Sequence, residues 1–455
     1  MMSSRSARWP SFQASLSFIL ATAMIVLLWI AGGASRAEVM GQVVVRAGAW
    51  AILVVLLLAG PRPTLANVRP VLWLLAVTVA LPLLQLIPLP PVIWQALPGR
   101  EILVIPGESL PWRPWTMTPG ATRNALFSLI VPATMFALLV TANIRLYRWL
   151  PATLLIMTGA AVLLGLLQFS GAGFNSPLLN DTPGTVSSTF ANRNHFALFL
   201  AIGCLIAPVW AFLDSRSLRW RGPLAVALVL LFILMILATG SRSGMLLGGL
   251  ALALGAVLTG KRLRRQLRRG PRWLLPALVV LGVLIILTFV GLSVAANRAN
   301  AINRLIALEG VEDLRARAMP TIMSMIGHYM PFGSGLGGFD PVFRIHEPLN
   351  LLRLSYLNEA HNDFLGIALD AGVFGIAVLM AAMLWWVVAT IRVWRADADD
   401  DMYLGRLGST IIFLVLVASV TDYPARTPTI MAIIVIAAVW LARASAISKQ
   451  PALPL

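Results

Sequence analysis

Cysteine and charge are what this chain has least of. A single thiol, Cys204, stands among 455 residues. One thiol excludes an intrachain disulfide and any cysteine-based metal site. Its apolar setting predicts a small buried hydrophobe. Charged residues make up only 12% of the chain and hydrophobic residues 59%, where a soluble domain carries about a quarter charged. In place of charge there are long apolar runs, each able to cross a bilayer core of about 30 Å as a helix. Backbone in contact with lipid must satisfy its own hydrogen bonds, and runs of this length do so as helices. The sequence predicts an all-α, polytopic membrane protein.

Acids are scarce as well, with 18 Asp and Glu against 35 Lys and Arg and a net charge of +17. In a soluble chain that balance would suggest nucleic acid. In a membrane chain basic residues collect in cytoplasmic loops, so no nucleic-acid partner is expected. We read about twelve spans, near 12–32, 42–59, 71–90, 121–142, 149–169, 195–213, 223–239, 244–259, 273–294, 364–391, 406–421 and 428–446. With both termini cytoplasmic, most Lys and Arg fall in short cytoplasmic loops. The densest cluster runs from Lys261 to Arg272, and anionic lipid is its simplest partner. Asp397, Asp399, Asp400 and Asp401 read as a solvated cytoplasmic loop. Residues 1–35 have the look of a signal peptide, and an uncleaved first helix is the expectation.

Residues 1–455 read as one membrane domain. Its largest extramembrane piece, 295–363, lies between the ninth and tenth spans and opens with an amphipathic helix, Asn297 to Met325. An earlier outer loop carries Trp94, Trp112 and Trp115, amphipathic rings suited to a membrane interface.

Four polar segments fall on the outer face of this topology. They are Asn192-Arg193-Asn194, Gly240-Ser241-Arg242-Ser243, His361-Asn362, and the turn from Asp422 to Arg426. Each has an ordinary reading. An arginine at a helix mouth snorkels to lipid phosphates. A single interfacial histidine is usually structural, and Asp422 and Arg426 are spaced to pair across their own turn. Their convergence on one face favours function, because ionisable groups at membrane depth are costly. Glycines and serines around Arg242 would let backbone N–H groups approach an anion. Gly372 lies eleven residues after His361, on the same helix face if that helix is continuous, and Gly375 would extend a strip for close helix packing.

His361-Asn362, nine residues, then Gly372-Val373-Phe374-Gly375 resembles the His-Asn/Ser/Gln-x9-Gly-x-x-Gly signature of the O-antigen ligase family. Arg242-Ser243-Gly244-Met245-Leu246 resembles that family's Arg-x-x-x-Leu motif. The Asn192–Asn194, His328–Gly333 and Asp422–Pro424 segments are similar as well. The resemblance covers roughly residues 185–430. It implies a GT-C-like, metal-independent glycosyltransferase of the bacterial inner membrane with no cofactor. The donor would be a glycan on undecaprenyl diphosphate at the periplasmic face. The acceptor would be a lipid A core sugar (ligase type) or the next glycan unit (Wzy-type polymerase).

The residues suit that chemistry. Arg193 and Arg242 would neutralise the leaving diphosphate. His361 would be the base for the acceptor hydroxyl. Asn192, Asn194, Ser241, Asn362, Asp422 and Arg426 would support them. Direct attack would invert the anomeric centre, and the outer-face acids are too scattered to suggest a metal site. A flippase-like transporter is the reading from another class. It predicts ionisable groups near the bilayer midplane, where this sequence shows almost none.

Overall fold

Apolar runs with capping residues at their mouths fold into a bundle of long helices in a computed structural model. It describes residues 12–36, 38–104, 106–107, 109–142, 144–171, 176–179, 184–213, 218–267, 298–352, 357–397 and 400–448. In chain order the helices are α1 (Phe12–Ala31), α2 (Met40–Ala59), α3 (Arg69–Gln85), α4 (Pro91–Gln95), α5 (Pro119–Ser128) and α6 (Ile130–Thr141). Then come α7 (Ile144–Phe169), α8 (Arg193–Phe212), α9 (Leu218–Thr239) and α10 (Arg242–Leu267). After the undescribed stretch follow α11 (Arg298–Tyr329), α12 (Phe339–His346), α13 (Asp363–Arg395), α14 (Asp400–Ala418) and α15 (Pro428–Ile447). Among the described residues nine helices are long and apolar enough to cross a membrane, with α5 and α6 together counting as one, and α1 and α3 are shorter apolar helices. The expected ninth span, 273–294, lies outside the described residues.

The core is organised around α8. It is apolar on every side, so it is buried on every side, with Cys204 only 1% exposed. A helix hydrophobic all round belongs in the interior. Helices α7, α9, α10 and α14 pack against it. Gly240, at φ +63°, separates α9 from α10 and lets both lie along α8. The expected fourth span is two helices, α5 and α6, meeting at Leu129. Pro132 there has no N–H to return to the preceding turn.

Three further expectations change. The expected tenth span is not a continuous helix. Gly372 sits at φ 55°, ψ −142°, a break between two helical segments. A Cβ at Gly372 would overlap the Pro331 carbonyl oxygen. The glycine thus admits a backbone turn rather than a neighbouring helix, and Gly375 packs on Ala371 and Ile367 of its own helix. The freed carbonyls of Leu369 and Asp370 accept from the N–H groups of Ser334 and Gly335, both at 2.9 Å. Second, Trp94 is buried, donating its indole N–H to the Pro111 carbonyl, while Trp112 is exposed. Third, Asp400 and Asp401 begin α14 rather than lying in a loop, where acids favour a helix N-terminus. Arg262, on the basic tail of α10, lies 3.5 Å from Asp400.

A short pairing of β1 (Pro88–Leu89) with β2 (Arg113–Pro114) folds the segment after α3 over the Gly-rich turn. Buried Arg100 fastens it, donating to the carbonyls of Trp115 and Gly333 at 2.8 Å each.

Candidate active site

Chain alternation brings the polar helix mouths to one end of the bundle. Helices α8, α10 and α13 all begin there, and the α14–α15 turn closes over them. Each N-terminus has orphan N–H groups, which draw polar side chains to these positions. Asn192 caps α8 by accepting from Asn194 N–H at 2.8 Å. Ser241 caps α10 by accepting from Gly244 N–H at 2.9 Å. Asn362 caps α13 by accepting from Leu365 N–H at 3.0 Å.

The three helix mouths meet at one carboxylate, reached through Asn192, Asn194 and His361. Asp422, 3% exposed, lies at the centre. Its Oδ2 accepts from Asn192 Nδ2 at 2.9 Å and from Asn194 Nδ2 at 2.8 Å. Its Oδ1 accepts from the Tyr423 N–H at 3.0 Å and lies 3.2 Å from His361 Nδ1. Ser241 Oγ donates to Asn194 Oδ1 at 2.7 Å. A hydrogen-bonded line therefore runs from the start of α10 through Ser241, Asn194 and Asp422 to His361. The carboxylate has no proton to give, so His361 Nδ1 is the donor and the lone pair rests on Nε2.

His361 is held in the left-handed region at φ 48°. A non-glycine residue there is uncommon, histidine less so than most, and such backbone clusters at functional sites. Its ring lies edge-on to Tyr423, with centroids 4.9 Å apart. Burial pushes the imidazole below its ordinary pKa of 6.5, the Asp422 hydrogen bond opposes this in part, and the Arg315 charge adds to the lowering. His361 is thus neutral near pH 7. Burial works against the Asp422 carboxylate, but contacts with His195 and His361 outweigh it and hold its pKa well below the usual value.

Arg193 and Arg242 are the first residues of α8 and α10, each one residue from a member of this line. Arg193 Nη1 lies 3.9 Å from where a Cβ on Gly240 would stand, so its guanidinium rests against the turn that presents Arg242. Arg242 is exposed at that end of the bundle.

Arg426 is not part of this group and does not pair with Asp422. Its guanidinium turns to Glu359 at 2.8 Å, Asp370 at 3.2 Å and Asp363 at 3.9 Å. Burial raises the Glu359 carboxyl pKa to about 7, against the pull of Arg426. Among the described residues no group of three or more His, Cys, Asp or Glu is placed to hold a metal ion.

Sequence reasoning passed over several neighbours. His195 lies 3.7 Å from Asp422 Oδ1 and is within 2.9 Å of Thr427 Oγ1 through Nδ1. Arg315 of α11 lies close enough to act on His361, and its Nε is buried without a hydrogen-bond partner in the protein. Asp370 is fully buried inside an apolar run. An acid in such a run is itself a signal that could have found it.

Residues 226–380 match the family model described as O-antigen ligase (Wzy_C). The matched stretch contains Arg242, Arg315, the Gly-rich turn, His361, Gly372 and Gly375, and the match is consistent with an O-antigen ligase/polymerase family. Arg193, His195 and Asp422 lie outside it and join the site through the fold. No curated protein matches the chain.

Proposed function

From that family relationship and the geometry of the site we propose that the chain is a membrane glycosyltransferase of the O-antigen ligase type. It moves a glycan from undecaprenyl diphosphate to a sugar hydroxyl of the lipid A core, at the periplasmic face of the bacterial inner membrane. The observation that carries this reading is the Asp422–His361 pair at 3.2 Å, set beside two helix-mouth arginines.

His361 Nε2 takes the proton of the acceptor hydroxyl. The hydroxyl oxygen attacks the anomeric carbon as the bond to the diphosphate oxygen breaks, which inverts the configuration. Asp422 fixes the tautomer and stabilises the imidazolium that forms, in the way a carboxylate supports a histidine base generally. Arg193 and Arg242, with Arg315 on the His361 side, take up the negative charge that gathers on the leaving diphosphate. Asn192, Asn194 and Ser241 position Asp422, and Asn362 orients His361 through the α13 cap. Arg426 positions the α14–α15 turn rather than meeting substrate phosphate. No metal is needed, because the arginines supply the positive charge. The same chemistry would serve a polymerase, which differs only in its acceptor.

The test is product identification by mass spectrometry after incubating purified protein in proteoliposomes with lipid-linked donor and lipid A core. Glycan on the core supports the ligase reading. A longer glycan on the carrier lipid would replace it with polymerisation, and transfer abolished by a chelator would overturn the metal-free mechanism.

A further inference from the structure

At the same end of the bundle a cavity of about 410 Å³ lies between α2 and α5 on one side and α13 and the α14–α15 turn on the other. That is the size range of a small-molecule site. Its two sides carry opposite charge, and neither is balanced. On the α2 side stands Arg46. It donates to Asn124 Oδ1 at 2.6 Å and to Gln42 Oε1 at 3.0 Å, both neutral amides, and among the described residues no carboxylate pairs with it. On the α13 side three acids crowd one arginine. Glu359, Asp370 and Asp363 lie 2.8, 3.2 and 3.9 Å from the Arg426 guanidinium. Even with Glu359 partly protonated at a pKa of about 7, that group keeps an excess of negative charge. Buried charge left without a counter-charge is costly.

Hydrogen bonding leaves the same mismatch. Asp370 Oδ1 and Arg46 Nε are both buried with no hydrogen-bond partner in the protein. Buried polar atoms are normally satisfied, so the acidic side has an acceptor to spare and the basic side a donor. A ligand that answers both brings an anionic acceptor to Arg46 and a cationic N–H donor to the acids. A phosphate and a primary ammonium have those properties. A quaternary ammonium has the charge but no N–H. An anionic head without an amine leaves the acids uncompensated.

A second, apolar cavity of about 330 Å³ adjoins the first and shares Thr78, Leu129, Ala425 and Met431 with it. Leu379, Met383 and Trp386 line it on successive turns of α13. It therefore leads from the mouth of the bundle into the depth of the membrane span. A soluble zwitterion has no use for that half. A phospholipid sets its head at the bilayer surface and its chains along the hydrocarbon core, which is the order of the two cavities.

We propose that the paired cavities hold a resident aminophospholipid of the phosphatidylethanolamine type, with its phosphate on Arg46, its ammonium among Asp370, Glu359 and Asp363, and one acyl chain in the apolar groove. This lipid is neither donor nor acceptor, and no bond in it forms or breaks. By answering both sides of the cavity it ties α2 to α13 and to the turn that carries Asp422. The site needs no glycan transfer to be occupied.

The test is photolabelling of the full chain in phosphatidylcholine nanodiscs. The probe is trace phosphatidylethanolamine with a diazirine in one acyl chain, and phosphatidylcholine with the same diazirine chain is the comparison. The ethanolamine lipid should label peptides within 71–78 and 379–386 at least fivefold more than the choline lipid does. Replacing part of the host lipid by unlabelled phosphatidylethanolamine should compete that labelling away, and replacing it by phosphatidylglycerol should not. Arg46→Gln should cut the labelling at least fivefold through the lost phosphate contact, and Ala382→Phe should do so by filling the groove. Equal labelling by the two probes would overturn the proposal, as would competition by phosphatidylglycerol equal to that by phosphatidylethanolamine. Labelling that either folded variant leaves unchanged would overturn it too. The wild-type comparisons decide even if a variant fails to fold. Labelling needs no transfer, so an inactive wild type that labels as expected counts against the transferase reading alone. Absent labelling with transfer intact counts against this site alone.

Discussion

Replacing Asp422 by Asn keeps the size of the side chain and removes its charge. In the transition state His361 carries a proton and faces Asp422 at 3.2 Å. At an effective dielectric constant of about 20, that separation gives an attraction of roughly 5 kcal/mol. The amide oxygen of Asn retains part of it as a dipole, so a loss of about 3–4 kcal/mol is expected, or on the order of 10²–10³ in kcat. Geometry adds to the loss. Asp422 Oδ2 accepts from both Asn192 and Asn194, and an Asn that turns its oxygen that way presents N–H to His361 Nδ1. The imidazole must then place its proton on Nε2, the wrong atom for a base. Since the Asp422 hydrogen bond raises the His361 pKa against burial, its removal also moves the acid limb of the residual activity to lower pH. The assay is the initial rate of glycan transfer in proteoliposomes from a fluorescent lipid-linked donor, with a melting curve as the folding control. A folded Asp422→Asn protein that keeps a third or more of the wild-type rate would refute the reasoning.

The pH profile of the wild type gives an independent check. The base must be neutral, and burial lowers its pKa, so kcat/KM should rise with pH through a midpoint below 6.5 and level off above it. A midpoint above 7 would mean a different base. Ser241→Ala removes both the α10 cap and the donor to Asn194. It should cost about 1 kcal/mol of stability, seen as a lower melting temperature, and slow transfer about tenfold. Gly372→Ala places a side chain in backbone space that only glycine occupies readily, against the Pro331 carbonyl. It should destabilise by about 3 kcal/mol or more, measured as loss of folded protein on size-exclusion chromatography. Arg242→Lys keeps the charge but loses the planar fork, so the donor KM should rise about tenfold while acceptor KM holds.

Most of the helices were legible because hydropathy and length report directly on a membrane-spanning helix. Eleven of the twelve expected spans correspond to described helices, and the alternation of loops already placed Arg193, Arg242, His361 and Asp422 at one end. What joins them was not legible. Asp422 meets His361 across 61 residues and Asn194 across 228, and no local spacing reports such contacts. The i, i+4 spacing of Asp422 and Arg426 suggested a pair that the fold does not make. Each finds stronger partners brought in by other helices. The break at Gly372 was hidden for a similar reason. Its immediate neighbours, Ala371 and Val373, are apolar and no proline stands near it, and the cause of the break is a turn some forty residues earlier that needs the space. Asp370 is the clearest missed signal, a buried acid in an apolar run that the topology reading treated as an ordinary span.

The central claim is that His361 is the base for glycan transfer. Its most direct measurement compares initial transfer rates from lipid-linked donor for purified wild-type and His361→Ala protein in the same proteoliposomes. Both must be folded by melting curve, and the product must be identified by mass. The account predicts that the wild type transfers and that His361→Ala falls by a factor of about 10³ or more. Transfer by His361→Ala at a rate near that of the wild type would contradict it.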